Sequence, residues 1–313
     1  MTFRILGRTL KLDWTPRRVT AAYVVFAVIA FVLSLRWTFP SEAVKQRLIM
    51  EAGKRGWQIE LEHVGAGGLL GVRARGVKIE TASGLAIPID DVTASLRPLP
   101  LLIGRRSLAF DVSLYDGRVR GTADLSGDAR RLVLDVKGVD LGQALPLRKA
   151  AGVDLLGVVT GTADLSVPAA AEQKASGRVD LAVKAAGIAG GEIPIPGMGS
   201  GLALPRASLG DIVAGLQIRD GRATFEKLEA SGGDAELKTE GLYFLVQQRM
   251  EFAPLAGKAR VKVGDAFWAK TTPGMKGLAE AALAASKASD GFWSMNVTGS
   301  VGHPRLMPAP VAR

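Results

Sequence analysis

No cysteine occurs among the 313 residues, so the chain can form neither disulfides nor thiolate metal sites. An oxidising compartment permits disulfides without requiring them, so this absence leaves the cellular location open. Histidine is nearly absent too: His63 and His303 stand far apart and read as surface residues. A zinc site built from Glu60, Glu62 and His63 lacks the usual ligand set and spacing. The glycine-rich stretches Gly65–Gly71 and Gly197–Gly201 end in neither Gly-Lys-Ser nor Gly-Lys-Thr, and neither matches the dinucleotide fingerprint. They read as turns. No Gly-x-Ser-x-Gly elbow is present, and Asp90-Asp91 reads as a solvated pair at a strand end. These absences argue against an enzyme and give no reason to expect a cofactor or metal.

Only one long uncharged apolar run exists, Val19 to Leu35, seventeen residues. As a helix it spans about 26 Å, and about 36 Å when counted out to Trp14 and Trp37, which bracket it. Indoles favour the headgroup layer, so these two residues are expected at the membrane interfaces together with Arg17, Arg18 and Arg36. The run lacks amphipathic periodicity, which argues against a buried core helix. A cleaved signal peptide is the competing reading, but Arg36 and Trp37 follow directly and no small-x-small site stands where cleavage would occur. The expectation is a retained signal anchor.

The formal net charge is +10, from 40 basic and 30 acidic residues. Six basic residues and one acid fall within residues 1–36, which leaves 34 and 29 for the remainder. The basic excess before the run places the N-terminus in the cytoplasm and everything after the run outside. The exported part is nearly balanced, and its basic residues are scattered along strands, as in Lys258-Ala-Arg260-Val-Lys262. That is no nucleic-acid footprint, whereas attraction to membrane lipid remains compatible with it.

From residue 57 onward the dominant period is two. Leu108, Phe110, Val112 and Leu114 alternate with Ala109, Asp111 and Ser113, and similar patterns begin at Trp57, Leu85, Val179, Ala235 and Trp293. Asp116-Gly117, Asp220-Gly221 and Asp290-Gly291 supply the positive φ that hairpin turns need. Pro88 belongs at an edge or bulge. About a dozen mostly antiparallel strands follow from this pattern. Helices are few: one capped by Ser41 and running through Lys54, one in the alanine-rich stretch 277–287 with an extension back towards Asp265, and short turns near 141–145 and 209–213. The expected division is a basic cytoplasmic tail over 1–18, a transmembrane helix over 19–37, a juxtamembrane helix over 38–56, a β-rich repeat domain over 57–303 and a loose tail over 304–313.

Gly-Thr-Ala-Asp-Leu-Ser occurs at 121–126 and again at 161–166. An Arg-to-Lys strand follows each copy, Arg131–Lys137 and Arg178–Lys184. This reads as duplication of a strand pair. A dozen strands with one apolar face need cover that two helices cannot supply. A sandwich, a closed barrel or a curved trough each solves the problem, and a trough would hold acyl chains. Small residues on the apolar face, Gly121, Ala123, Gly161, Ala163 and Ala259, suit strong curvature or close approach of sheets.

Several stretches carry a resemblance. They are Phe39–Leu48 after the run, Ala94-Ser-Leu-Arg-Pro-Leu-Pro-Leu-Leu-Ile-Gly104, Leu209-Gly-Asp211 with Ile218–Arg222, Ser231–Ala235, Glu240-Gly241 and Val297–Pro304. In this order they resemble the type II secretion system protein N (GspN) family, over most of the chain after residue 20. The same pattern is similar to the wider AsmA-like group of single-span proteins with lipid-accommodating periplasmic β-repeats. The resemblance implies a non-enzymatic inner-membrane accessory subunit beside the secretion platform, possible contact with the secretin, and no catalytic residues. The AsmA-like alternative implies a lipid-binding or lipid-transfer module in outer-membrane maintenance.

Overall fold

The computed structural model describes residues 2–5, 8–11, six positions between 20 and 34, and 40–310 apart from 55–56, 69, 81–85, 128, 145–152, 169–173, 194–201, 248 and 272–273. A short hairpin, β1 (Thr2–Ile5) with β2 (Arg8–Lys11), occupies the basic N-terminal segment. Helix α1 (Ser41–Gly53) leads to β3 (Gln58–Ala66) and packs against it, and Trp57 N–H donates to Ala52 O at 3.0 Å to close the turn between them. Pro40, not Ser41, is the cap residue of α1; Ser41 is already inside the first turn, and no side chain caps the helix. The six described positions in the earlier run, Thr20, Tyr23, Phe26, Ala27, Ala30 and Ser34, are all helical and exposed.

From β3 the chain folds as one continuous meander. β4 (Gly71–Glu80), β5 (Ala86–Leu96), β6 (Ser107–Leu114), β7 (Gly117–Asp124) and β8 (Ala129–Asp140) follow, then β9 (Val153–Pro168) and β10 (Ser176–Ile193). After β11 (Leu202–Leu204) come β12 (Ala207–Arg219), β13 (Arg222–Ser231), β14 (Ala235–Leu245), β15 (Leu255–Val263), β16 (Trp293–Ser300) and β17 (His303–Pro308). Fourteen of these strands lie side by side in chain order, every pair antiparallel, and β11 adds to one end of β10. Helix α2 (Pro98–Leu102) joins β5 to β6, while α3 (Asp265–Trp268) and α4 (Met275–Ala282) join β15 to β16.

This is a mainly β fold with a single open sheet. Neither a sandwich nor a closed barrel forms among the described residues, because β3 and β17 end the sheet unpaired on their outer sides. Four short α-helices, rather than two, are present among the described residues. The stretch Leu209–Val213 is not a helical turn. It belongs to β12, where Gly210 at φ 68° absorbs an irregularity in the pairing with β10. His303–Pro308 is not loose either: it pairs along β16 as the outermost strand, and Pro304 and Pro308 are tolerated because an edge strand has one side without ladder partners. Pro88 obeys the same rule, in a part of β5 that overhangs β6 and pairs only with Lys78 of β4. Tyr115-Asp116 and Asp220-Gly221 both place two consecutive residues at positive φ, the type I′ geometry that joins tightly turned strands.

The duplicated hexapeptide has one structural role in both copies. Gly121 pairs with Leu134 and Asp124 with Arg131; Gly161 pairs with Leu181 and Asp164 with Arg178.

Candidate functional site

Because side chains alternate across a strand, antiparallel pairing in register lines like residues into rows. One row runs Val64, Ala74, Val92, Val112, Val119, Val136, Gly161, Leu181, Ala214 and Leu228, across ten strands from β3 to β13. The adjoining row on the same face runs Ala66, Val72, Ala94, Phe110, Gly121, Leu134, Ala163, Val179, Leu216 and Phe225. Beyond β13 the face continues through Leu237, Val261 and Trp293.

Large and small residues interlock within these rows. The Phe110 ring tip lies over Gly121, where a side-chain Cβ would also stand 2.7 Å from Val133 O and 2.9 Å from Leu134 Cδ2. At Gly161 a Cβ would stand 2.6 Å from Leu181 Cδ2. The small residues of the repeat are thus sockets for large neighbours one strand away. Three clusters hold the face together: Leu61, Ala74 and Val77 near one edge, Ile218, Ala223, Phe244 and Ala253 around β12 to β14, and Leu242, Ala259 and Val297 towards the other edge. Phe225 joins the last two, with its ring centroid 6.1 Å from that of Phe244.

No second sheet lies across this face among the described residues, and its cover is local: Ala253 and Val246 of the β14–β15 connection pack on Ile218, Ala223 and Phe244, and the Trp268 ring of α3 stands 6.3 Å from that of Trp293. Ten strands at about 4.8 Å spacing make rows about 48 Å long, so two rows cover about 650 Å². That exceeds the roughly 300–600 Å² of the largest apolar patch on an ordinary monomer. The chain exposes 21,037 Å² in all, whereas a compact fold of 32.9 kDa exposes about 12,500 Å².

The opposite face is polar and laced by ion pairs. Its central row reads Arg73, Thr93, Asp111, Arg120, Asp135, Thr162 and Asp180. Asp91 accepts from Arg73 Nε at 2.7 Å and Arg75 Nε at 3.3 Å, and Asp111 meets Arg118 and Arg120 at 3.1 and 3.0 Å. Arg131 Nη2 donates to Asp164 at 2.6 Å, holding that carboxyl below the usual carboxylate range, and Arg178 does the same to Asp180 at 2.7 Å. A shallow depression of about 410 Å³ opens on this face around Thr93, Asp111, Arg120 and Asp135, where Asp111 is paired with Arg120 and Asp135 with Lys137. The two faces therefore differ in kind: one is laced by ion pairs, and the other presents apolar rows without a second sheet over them.

The expected interface residues Trp14, Arg17, Arg18, Arg36 and Trp37 lie outside the described residues, as does most of the run from 19 to 35. Among the described residues no helix is long and apolar enough to cross a membrane. His63 and His303 sit exposed on β3 and β17, the two opposite edges of the sheet. Asp91 is tied to its two arginines, and no group of three or more potential metal ligands occurs among the described residues. Sequence reasoning did not single out the exposed leucines of the connection around α2; their signal was the run of leucines set between arginines in Arg97–Arg106. No family model matches the chain, and neither a curated protein nor a solved structure matches it.

Proposed function

We propose that the chain is a non-enzymatic, membrane-anchored periplasmic subunit that serves a type II protein secretion system as an accessory component beside its inner-membrane platform. The observation that carries this reading is the long open sheet that follows an apolar run within a short helix's length, with its charges mutually paired and no cluster of catalytic groups among the described residues. Such a layer suits a scaffold, and the resemblance of its motifs to the protein N family is what suggests a secretion assembly. Deleting the gene in its native host is expected to lower the export of specific secreted proteins under inducing conditions. An unaltered set of exported proteins would remove this reading.

The uncovered apolar face favours a second reading, an AsmA-like sheet that holds lipid acyl chains. Phospholipid with a photoreactive group on its acyl chain, supplied to the full chain, should then cross-link to Leu134 and Leu181 on the apolar face. Val133, the neighbour of Leu134 on the polar face, should stay unlabelled. Leu181 is 36% exposed and open to such a reagent. Cross-links confined to residues 19–37 would leave the face without a lipid role.

A further inference from the structure

In a meander every second connection falls at the same end of the sheet. The connections β3–β4, β5–β6, β7–β8 and β14–β15 share one end, and α2 lies in the second of them. Within α2 and the turn after it, Leu99 is 76% exposed, Leu102 83% and Ile103 72%, and among the described aliphatic residues of the sheet domain only Leu278 of α4, at 74%, is as bare. These side chains are not on a loose loop. Arg97 N–H donates to Ser107 O at 2.9 Å and Arg105 N–H to Pro100 O at 2.9 Å, while Ile103 and Gly104 close two further turns. Pro98 and Pro100 have no N–H to leave unpaired. The segment is a rigid wedge whose tip is aliphatic.

Around the base of the wedge stand Arg97, Arg105 and Arg106, all exposed. Unlike the arginines of the polar face, none of them forms a salt bridge with a described residue, although Arg105 stands near enough to Asp124 to help hold that carboxyl below its ordinary value. An aliphatic tip within a collar of exposed arginines that form no salt bridge complements one kind of surface: a bilayer with anionic headgroups, where the tip enters the acyl boundary and the collar meets phosphates. A water-soluble protein partner offering an apolar pocket would leave the collar without a reason. Along the same end, Leu70, Leu125 and Phe252 are also exposed in connections, which extends the contact along the row of strand ends.

We infer that residues 97–106 form a peripheral membrane-docking wedge specific for anionic lipid, a second membrane contact independent of the run at 19–35. It seats one end of the sheet on the bilayer, so that the apolar face opens directly onto lipid. This goes beyond the secretion reading and does not depend on it.

The test exploits the absence of cysteine. A single Leu102→Cys in the full-length chain accepts an environment-sensitive fluorophore at one position, with Ser289→Cys, in a connection at the opposite end, as control. The labelled chains are reconstituted with vesicles of phosphatidylcholine alone or mixed with phosphatidylglycerol. The label at 102 is expected to shift to the blue and to be quenched by nitroxide acyl chains in the anionic vesicles, and the label at 289 is not. Changing Arg97, Arg105 and Arg106 together to Gln removes about fivefold in surface affinity per arginine, on the order of a hundredfold in all, and should abolish the quenching. A retained circular-dichroism strand signal shows that the variant still folds. The proposal is overturned if the label at 102 stays accessible to aqueous iodide in both vesicles. It is also overturned if quenching is equal in neutral and anionic vesicles and indifferent to the arginines, or if the label is shielded only by an added protein.

Discussion

Gly121→Ala adds one methyl group at the point where the face is most tightly interlocked. Two effects oppose each other there. Alanine loses less backbone entropy than glycine in a strand, which favours the variant by about 0.5–1 kcal/mol. Against this, the new Cβ meets the Phe110 ring tip, the Val133 carbonyl oxygen at 2.7 Å and Leu134 Cδ2 at 2.9 Å. The ring can turn away, but the carbonyl belongs to the neighbouring strand and cannot move without disturbing the ladder between β7 and β8. Overpacking of this kind costs about 1–3 kcal/mol. The clash therefore wins, with a net loss of about 1 kcal/mol, or on the order of fivefold faster opening. Because each strand contacts only its neighbours, the effect should stay local, so global unfolding is the wrong readout. Amide hydrogen exchange resolved by peptide mass is the right one: faster exchange in 117–124 and 129–140, with β14 and β15 unchanged. Phe110→Leu in the same chain relieves the ring contact alone, so the double variant should lose less than the two single losses combined, by at least about 0.5 kcal/mol. If Gly121→Ala exchanges as slowly as the parent or more slowly, the interlocked face does not exist as described.

Acid should weaken the sheet. Asp124, Asp164, Asp180, Asp234, Asp265 and Asp290 are all held below the ordinary aspartate value of 3.8 by hydrogen bonds in the folded chain. A depressed carboxylate stabilises the fold fully above its unfolded value and loses that contribution as pH falls through its folded one. The urea midpoint should therefore be level above about pH 5 and fall below about pH 4; no change down to about pH 2 would contradict the pairing on the polar face. Removing residues 303–313 strips β17 and leaves β16 as the edge, without proline and with Val297 deprived of its neighbour Leu306, so sedimentation should show more self-association than the full chain does. An unchanged sedimentation profile would mean that β17 does not guard the sheet.

Much of the sheet was legible because its information is local. Leu108, Phe110 and Val112 announce both the strand β6 and the face it turns inward, and Asp116-Gly117 and Asp220-Gly221 announce where the chain reverses. The identical hexapeptides at 121 and 161 foretold two equivalent strand pairs, which the matched partners Asp124–Arg131 and Asp164–Arg178 bear out. What stayed illegible depends on neighbours distant in sequence. Strand order and the absence of a second layer are properties of pairing, and alternation reads the same in a sandwich as in a bare sheet. Leu209–Val213 looked helical because a glycine interrupts its alternation; only the pairing with β10 shows that Gly210 is an irregularity within a strand. The two prolines of β17 argued for a loose tail, since nothing local reveals that β17 lies outermost, where proline is tolerated.

The contrast between edges and face bears most directly on function. A bare strand edge and a bare apolar face are both aggregation hazards, and folds under selection for solubility suppress both. Here the edges are managed: β17 carries Pro304 and Pro308 on one side, and α1 packs against β3 on the other. The polar face is managed as well, with aspartates set against arginines along its rows. The apolar face alone is left without a second layer among the described residues, from β3 to β10 in continuous register, although glycine sockets and large knobs show that its packing is otherwise tuned residue by residue. Chance neglect would not be confined to one surface of a sheet so carefully finished elsewhere. That contrast is the ground of the proposed lipid-binding reading, because rows of valine, leucine and phenylalanine without a charge among them match the chemistry of acyl chains.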